Sequence, residues 1–458
     1  VCFYPMSIFA TPDIATGFLQ ARVTFTRMAT RTTLFAAARS LASDRFAGPA
    51  SFLILNQGIV CSLGFAYWLL AARSYSLAEV GKATAEIGIG ILLGTIGTLG
   101  LPAALTRALP ISADPPRLVI RVLCFTAVLG FFIGVCGVSA ISAVFPSFYY
   151  LRVDGTRLAS LVLFVVAYSL LLPIEQVLIA ARSAVLTTVM FAIFALLRLG
   201  GALLVFGNEP RDMVGVWGGA LSMAIVIMIG VFLPRAVRRL VPLPGGQGPS
   251  LRSLLTFAIG NHLGTLLALA GPLLLPAAIM VGLEGQVGEK AAGVFYVCFQ
   301  IATLIYVVPV AISSVHFAEG SRPGRNIDND ERRAILLTLG IIAPAILVVG
   351  AFAQYVVGVF GAAYAESGSS LLRVLALASV AVAFGTILAT RFRIAGALRP
   401  VVLASTVSTV IALAGTFGLA PRFGALGAGI AFAIGQLMGA AVLFFAGLGG
   451  AKAVMVKQ

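Results

Sequence analysis

Long apolar runs separated by short polar segments rich in arginine dominate the chain from residue 51 onward. Nine of these runs exceed eighteen residues with at most one charge each, and three more reach that length by accepting a Gly, Pro or polar break. A helix rising 1.5 Å per residue needs about 20 apolar residues to cross roughly 30 Å of hydrocarbon. The pattern therefore predicts twelve crossings, at 51–71, 84–106, 118–145, 159–181, 183–206, 213–234, 253–282, 291–316, 334–360, 370–390, 400–420 and 424–447. The short alternating strands of a barrel are absent from the pattern, so the fold class is an all-α membrane protein. The run at 253–282 is longer than one crossing needs and holds Pro272 and Pro276, which predicts a kinked or broken helix.

The spans repeat. Val80-Gly81 precedes Pro102 by 21 residues from the glycine, and Val287-Gly288 precedes Pro309 by the same 21, at an offset of 207. Upstream, Phe52–Asn56 matches Phe257–Asn261; downstream, Leu178–Arg182 matches Ile387–Arg391, and Gly215 and Gly218 match Gly424 and Gly427, both at 209. An ordered series with near-constant spacing indicates two copies of one six-helix unit. Six is even, so both copies begin on the same face and their pseudo-twofold axis runs along the membrane normal. The expected organisation is a basic arm at 1–48, a first lobe at 49–240, a linker at 241–252, a second lobe at 253–450 and a tail at 451–458. Two lobes about a shared cleft give alternating access, so the expected activity is transport.

Composition agrees: 60% hydrophobic residues, 10% charged residues and a mean hydropathy of +1.06 make lipid the solvent. The formal charge of +15 does not imply nucleic acid, because the arginines sit in short loops. Twenty-two of the 31 Lys and Arg fall on one side and eight on the other, while Arg198 lies inside a span. That asymmetry places both termini in the cytoplasm. The chain begins with Val, and Met28 is an alternative start; the arm lacks the apolar core of a cleaved signal and suits an anionic leaflet. The five scattered cysteines predict neither a disulfide nor a metal site. No nucleotide-binding loop is present, so no cofactor is expected. His262 and His316 are the only histidines, and no nucleophile has a recognisable base. The enzyme alternative is a membrane polysaccharide polymerase or ligase, which would need larger outer loops than these.

The segments Ala72–Gly81, Leu99–Arg107, Phe360–Tyr364 and Leu371–Ala378 resemble the polysaccharide-export branch of the multidrug/oligosaccharidyl-lipid/polysaccharide (MOP) flippase superfamily, the O-antigen flippases included. The resemblance covers about residues 50–447. It implies a MATE-like arrangement and a bacterial inner-membrane flippase that moves polyprenyl-pyrophosphate-linked oligosaccharide for O-antigen, capsule or exopolysaccharide assembly. The implied partners are that lipid-linked oligosaccharide, the bilayer, a glycan polymerase and other assembly proteins. The alternative within the superfamily is a cation-coupled multidrug antiporter. Against it, the first and seventh spans hold no Asp or Glu to bind the coupling ion.

Charges inside spans are costly and default to functional candidates. Arg198 sits some fifteen residues into the fifth span, about 22 Å from its end. Its guanidinium suits pyrophosphate or a sugar acid; the competing reading is a side chain snorkelling to the interface. Arg373 is a second candidate counter-charge. Glu175 and Gln176 follow Pro173 and face either a wet cleft or the interface near Arg182. Asn56, Asn261 and His262 occupy equivalent places in the first helix of each half, suited to sugar hydroxyls or to interhelical packing, and Gln300 and Gln436 share that ambiguity. Glu86, one turn after Lys82, is expected to pair with it locally.

Overall fold

The structure, a computed structural model, describes residues 47–109, 112–181, 183–206, 212–240, 251–321 and 327–455. The expected arm at 1–46 and most of the linker lie outside the described residues, as do the side chains of 47–60, 251–257, 259–261, 449–455 and a few single positions.

The first half comprises α1 (Ala47–Ser74), α2 (Leu77–Ile96), α3 (Leu101–Ala108), α4 (Pro115–Val144), the single turn α5 (Tyr150–Val153), α6 (Gly155–Ala180), α7 (Ala184–Val205), α8 (Asp212–Ile227) and α9 (Leu233–Val237). The second comprises α10 (Leu251–Leu283), α11 (Gly285–Gly320), α12 (Ile327–Ala351), α13 (Ala353–Gly358), α14 (Ala362–Ile394), α15 (Leu398–Phe423) and α16 (Ala425–Met455). Among the described residues, ten helices are individually long and apolar enough to cross a membrane. The remaining two crossings belong to α1 and to α2 with α3, where Glu79, Lys82 and Glu86 dilute the apolar run.

Local chemistry sets the helix starts. Ser76 and Glu79 form a reciprocal capping box at α2, with the Ser76 amide donating to the Glu79 carboxylate at 2.8 Å. Asp114 caps α4 ahead of Pro115, and Asp154 Oδ1 accepts from the Thr156 and Arg157 amides at the start of α6.

The duplication is visible in the packing. In the first half α1 packs on α7, α2 on α6, α4 on α6, α6 on α8, and α7 on α8. In the second, α10 packs on α15, α11 on α14, α12 on α14, α14 on α16, and α15 on α16. These are the same five pairings, crossing for crossing. Between the halves, α2 lies against α10 and α11, and α11 also meets α1. The pseudo-twofold thus passes between α2 and α11. One face, which carries Lys82 and the turns at 74–77, 144–155 and 283–285, is here called the Lys82 face; the other is the linker face.

Two expectations need correction. Of the kinked or broken helix expected at 253–282, the broken form does not hold: Pro272 and Pro276 lie inside one continuous α-helix. The break falls in the second crossing, between α2 and α3, where Leu99 (φ 45°) and Gly100 (φ 74°) are left-handed just before Pro102. Two left-handed residues end the α-helical ladder outright, whereas a proline removes one donor and bends it. Cys61 is disulfide-bonded, against expectation; scattered cysteines carry no spacing signature of a pairing. Cys124, Cys136 and Cys298 are free.

Candidate functional site

Arg198 lies on α7 and is only 4% exposed. Its guanidinium carbon stands 4.6 Å from the centre of the Trp217 ring and 5.1 Å from those of Tyr67 and Phe194. Gly64 on α1 makes room for it, because a Cβ there would meet the Arg198 Nη2 at 3.0 Å. Tyr67 is held in place by donating its hydroxyl to the Met213 carbonyl at 2.8 Å, which ties α1 to α8. The side chain therefore does not snorkel. Among the described residues no carboxylate pairs with Arg198, and its Nε has no hydrogen-bond partner.

An unpaired buried cation costs several kcal/mol in lost hydration. Each aromatic face returns about 0.5–2 kcal/mol. The three rings thus offset part of that penalty while leaving the guanidinium's hydrogen-bonding capacity unspent. An anion entering this cage would gain charge-assisted hydrogen bonds without breaking any already made.

The cage reaches the seam between halves. Trp68, next to Tyr67, meets Tyr296 of α11 edge to face at 4.6 Å. The Gln300 side-chain amide donates to the Tyr296 hydroxyl at 2.8 Å. Tyr296 and Gln300 line a cavity of about 30 Å³ bounded by Thr84 and Gly88 of α2, Pro272 and Pro276 of α10, and Thr303. That space is about one water molecule. Among the described residues this part of the seam has room for no more, and a larger occupant here requires the halves to part.

On the Lys82 face the closure is made by polar links. Lys82 Nζ meets Glu289 Oε1 at 2.9 Å, Ser147 donates to the Met280 carbonyl at 3.2 Å, and Arg73 donates through Nε and Nη2 to the Val359 carbonyl at 3.2 and 3.0 Å. Gly81 and Gly293 bring the α2 and α11 backbones together there: a Cβ on Gly81 would lie 2.9 Å from the Glu289 carbonyl carbon and the Gly293 nitrogen. Glu86 is not the local partner of Lys82. It is bound by Arg157, at 2.5 and 3.1 Å, and by the Tyr150 hydroxyl at 2.8 Å. Both side chains point across helix interfaces, where a fixed partner on another helix outcompetes a neighbour one turn away. Burial, together with the Glu86 carboxylate, raises the Tyr150 phenol well above its ordinary value.

The other candidates scatter. Gln300 belongs to the seam. His262 is buried with Nε2 unpartnered, beside the helix break, where a Cβ on Gly100 would meet its own Cβ at 2.8 Å. Gln176 accepts from Thr106 of α3 at 2.6 Å, and Glu175 is buried with Oε2 unpartnered. Arg373 is exposed and donates to the Gly350 carbonyl at 3.0 Å, at the end of α12. The side chains of Asn56 and Asn261 lie outside the described residues. The aromatic cage is the part that sequence reasoning missed. The one trace in the sequence is that both of the chain's tryptophans, Trp68 and Trp217, gather here, which no run or spacing groups.

No protein-family model and no curated protein matches the chain. Solved structures do. A crystal structure of a MATE transporter in complex with MaD3S superposes with a TM-score of 0.63 at 15% identity, covering 91% of this chain and 98% of that one. The inward-facing conformation of a multidrug resistance MATE family transporter of the MOP superfamily gives 0.62 at 17% identity, over 86% and 95%. A MOP superfamily transporter from Pyrococcus furiosus, described as having a binding pocket of reverse polarity that suggests a different function, gives 0.61 at 16%, over 93% and 100%. The chain therefore has a MATE-like, two-lobed, all-helical fold.

Proposed function

We propose that this protein is a flippase that moves a polyprenyl-pyrophosphate-linked oligosaccharide from the cytoplasmic to the opposite leaflet by alternating access. The observation that carries the reading is Arg198: a buried guanidinium with no acidic partner among the described residues, beside the seam of two duplicated lobes. A cation-exporting pocket would place a carboxylate there. A pyrophosphate needs the reverse, and the guanidinium fork matches its oxygens. Gln300 and the rings of Trp68 and Tyr296 add the hydrogen-bonding and stacking surfaces that a sugar uses. The reverse-polarity binding pocket described for the Pyrococcus neighbour is in keeping with this reading.

In this cycle the lobes part at the linker face to admit the headgroup while the polyprenyl tail stays in lipid. They then close and part at the Lys82 face. The arginine-rich loops support a cytoplasmic linker face in a bacterial inner membrane. No covalent step is involved. The test is polysaccharide export in Arg198→Ala and Arg198→Lys strains at matched protein levels. Loss in the alanine strain and a smaller loss in the lysine strain are expected; unchanged polymer in both removes Arg198 from the site.

One observation favours the multidrug antiporter instead. Glu175 is a buried carboxylate with an unpartnered oxygen, which suits a coupling proton. Drug resistance conferred by the protein and lost in Glu175→Gln, with export unaffected by Arg198→Ala, would establish that reading.

A further inference from the structure

On the Lys82 face, away from the Arg198 cage, a cleft of about 620 Å³ opens between the two lobes. Ser147, Tyr149, Tyr150 and Asp154 supply one wall from the first half, and Glu284 and Glu289 the other from the second. Its volume lies in the range of small-molecule sites. Tyr149 is 58% exposed, a large aromatic ring presented at the cleft. Glu284 holds a left-handed backbone (φ 51°) at the tight α10–α11 turn, a costly conformation for a residue with a Cβ.

Charge accounting narrows the occupant. Three carboxylates suggest a cation, but two are already committed. Asp154 Oδ1 caps α6 and accepts from Thr156 Oγ1 at 2.6 Å, and Glu289 is neutralised by Lys82. The Tyr150 ring already has Lys82 at 5.4 Å and the Arg157 guanidinium at 4.8 Å from its centre. That leaves one carboxylate, Glu284, and one open ring, Tyr149. Among the described residues no lysine or arginine lines the cleft, which disfavours a phosphate or sugar acid there. An acceptor pair beside an exposed aromatic ring fits a neutral sugar, whose vicinal hydroxyls donate to the carboxylate and whose C–H face stacks on the ring.

We propose that this cleft is a second, outward-facing binding site for a neutral oligosaccharide, and that its occupancy holds the lobes together on the Lys82 face. Resting on the flippase reading, this makes the cleft a place where already translocated glycan slows the next opening. A ligand touching both walls stabilises the state in which they meet by its differential affinity for that state.

The test uses the purified full chain in nanodiscs, with cellobiose, cellobiouronic acid and spermidine as probes. Saturation-transfer NMR reads binding, and hydrogen exchange reads the segments 146–154 and 284–293. Cellobiose is expected to bind with a Kd of about 1–10 mM and to slow exchange in both segments, about tenfold more weakly in Tyr149→Ala and Glu284→Gln. The acidic disaccharide and spermidine are expected not to bind there. Spermidine binding lost in Glu284→Gln would make it a cation site. Cellobiose binding unchanged in both variants, or absent in the parent, would also overturn the proposal. A strain lacking the protein separates the two readings: if the purified chain binds cellobiose in the cleft while polymer export does not depend on the protein, the flippase assignment fails alone; if export depends on the protein while the parent ignores cellobiose, the cleft fails alone.

Discussion

Gly81 offers a direct handle on the closed seam. Gly81→Ala adds a Cβ 2.9 Å from the Glu289 carbonyl carbon and the Gly293 nitrogen, and closer still to the Glu289 oxygen. Carbon contacts are comfortable at about 3.5–4.0 Å, so α11 must retreat by about 1 Å. Backbone atoms do not swing aside like a side-chain tip, and overpacking of this kind costs about 1–3 kcal/mol. The strain exists only while the lobes meet on the Lys82 face. The helix-propensity gain of alanine, about 1 kcal/mol, is common to both states and cancels. The equilibrium should shift toward opening on that face by roughly 5- to 150-fold. Hydrogen exchange of the 285–293 amides, with Gly200→Ala as control because its Cβ would meet nothing within 4 Å, reads the shift directly. Equal exchange in Gly81→Ala, Gly200→Ala and the parent would show that the α2–α11 contact does not gate this face.

The Lys82–Glu289 pair is partly exposed, so Lys82→Glu alone is expected to weaken closure by only about 1 kcal/mol plus like-charge repulsion. Combining it with Glu289→Lys should restore the parent exchange rate, and no recovery would argue against a pairwise link. Glu86→Gln strands the largely buried Arg157 and is expected to lower stability by about 3–5 kcal/mol, read as a fall in the detergent melting temperature. Replacing Glu86 and Arg157 together by Gln and Met should recover much of that loss. Tyr67→Phe removes the hydroxyl link to Met213 and is expected to cost about 1 kcal/mol, with export reduced less than in Arg198→Ala.

Much of the architecture was legible because lipid imposes a one-dimensional rule: run length gives crossings, and ordered anchors such as Gly81 and Gly288 give the duplication. The packing repeats those pairings in both halves. Side-chain partners were less legible. Glu86 has Lys82 one turn away and Arg157 seventy-one residues away, and only the folded helices show that the distant one wins. Proline content pointed to α10 as a kinked or broken helix; α10 is continuous and the break lies at Leu99–Gly100, since a proline inside a helix is a weaker signal than two left-handed residues. Arg198 was identifiable as a charge in an apolar run. Its aromatic surroundings were not, because Tyr67, Phe194 and Trp217 read individually as ordinary interior residues on three separate helices.

The twin halves are not mechanical equals. Pro102 and Pro309 hold corresponding places, yet the chain snaps into two rods before the first and runs unbroken through the second. Compliance is therefore concentrated in one copy, against a stiff companion that serves as its anvil. Under the alternating access proposed above, two opposed resting postures built from such unequal parts differ in energy, and the molecule idles preferentially in one of them. Under the transport proposed above, net direction must still come from an external gradient, and the lopsided build decides only where in its stroke such a device waits for cargo.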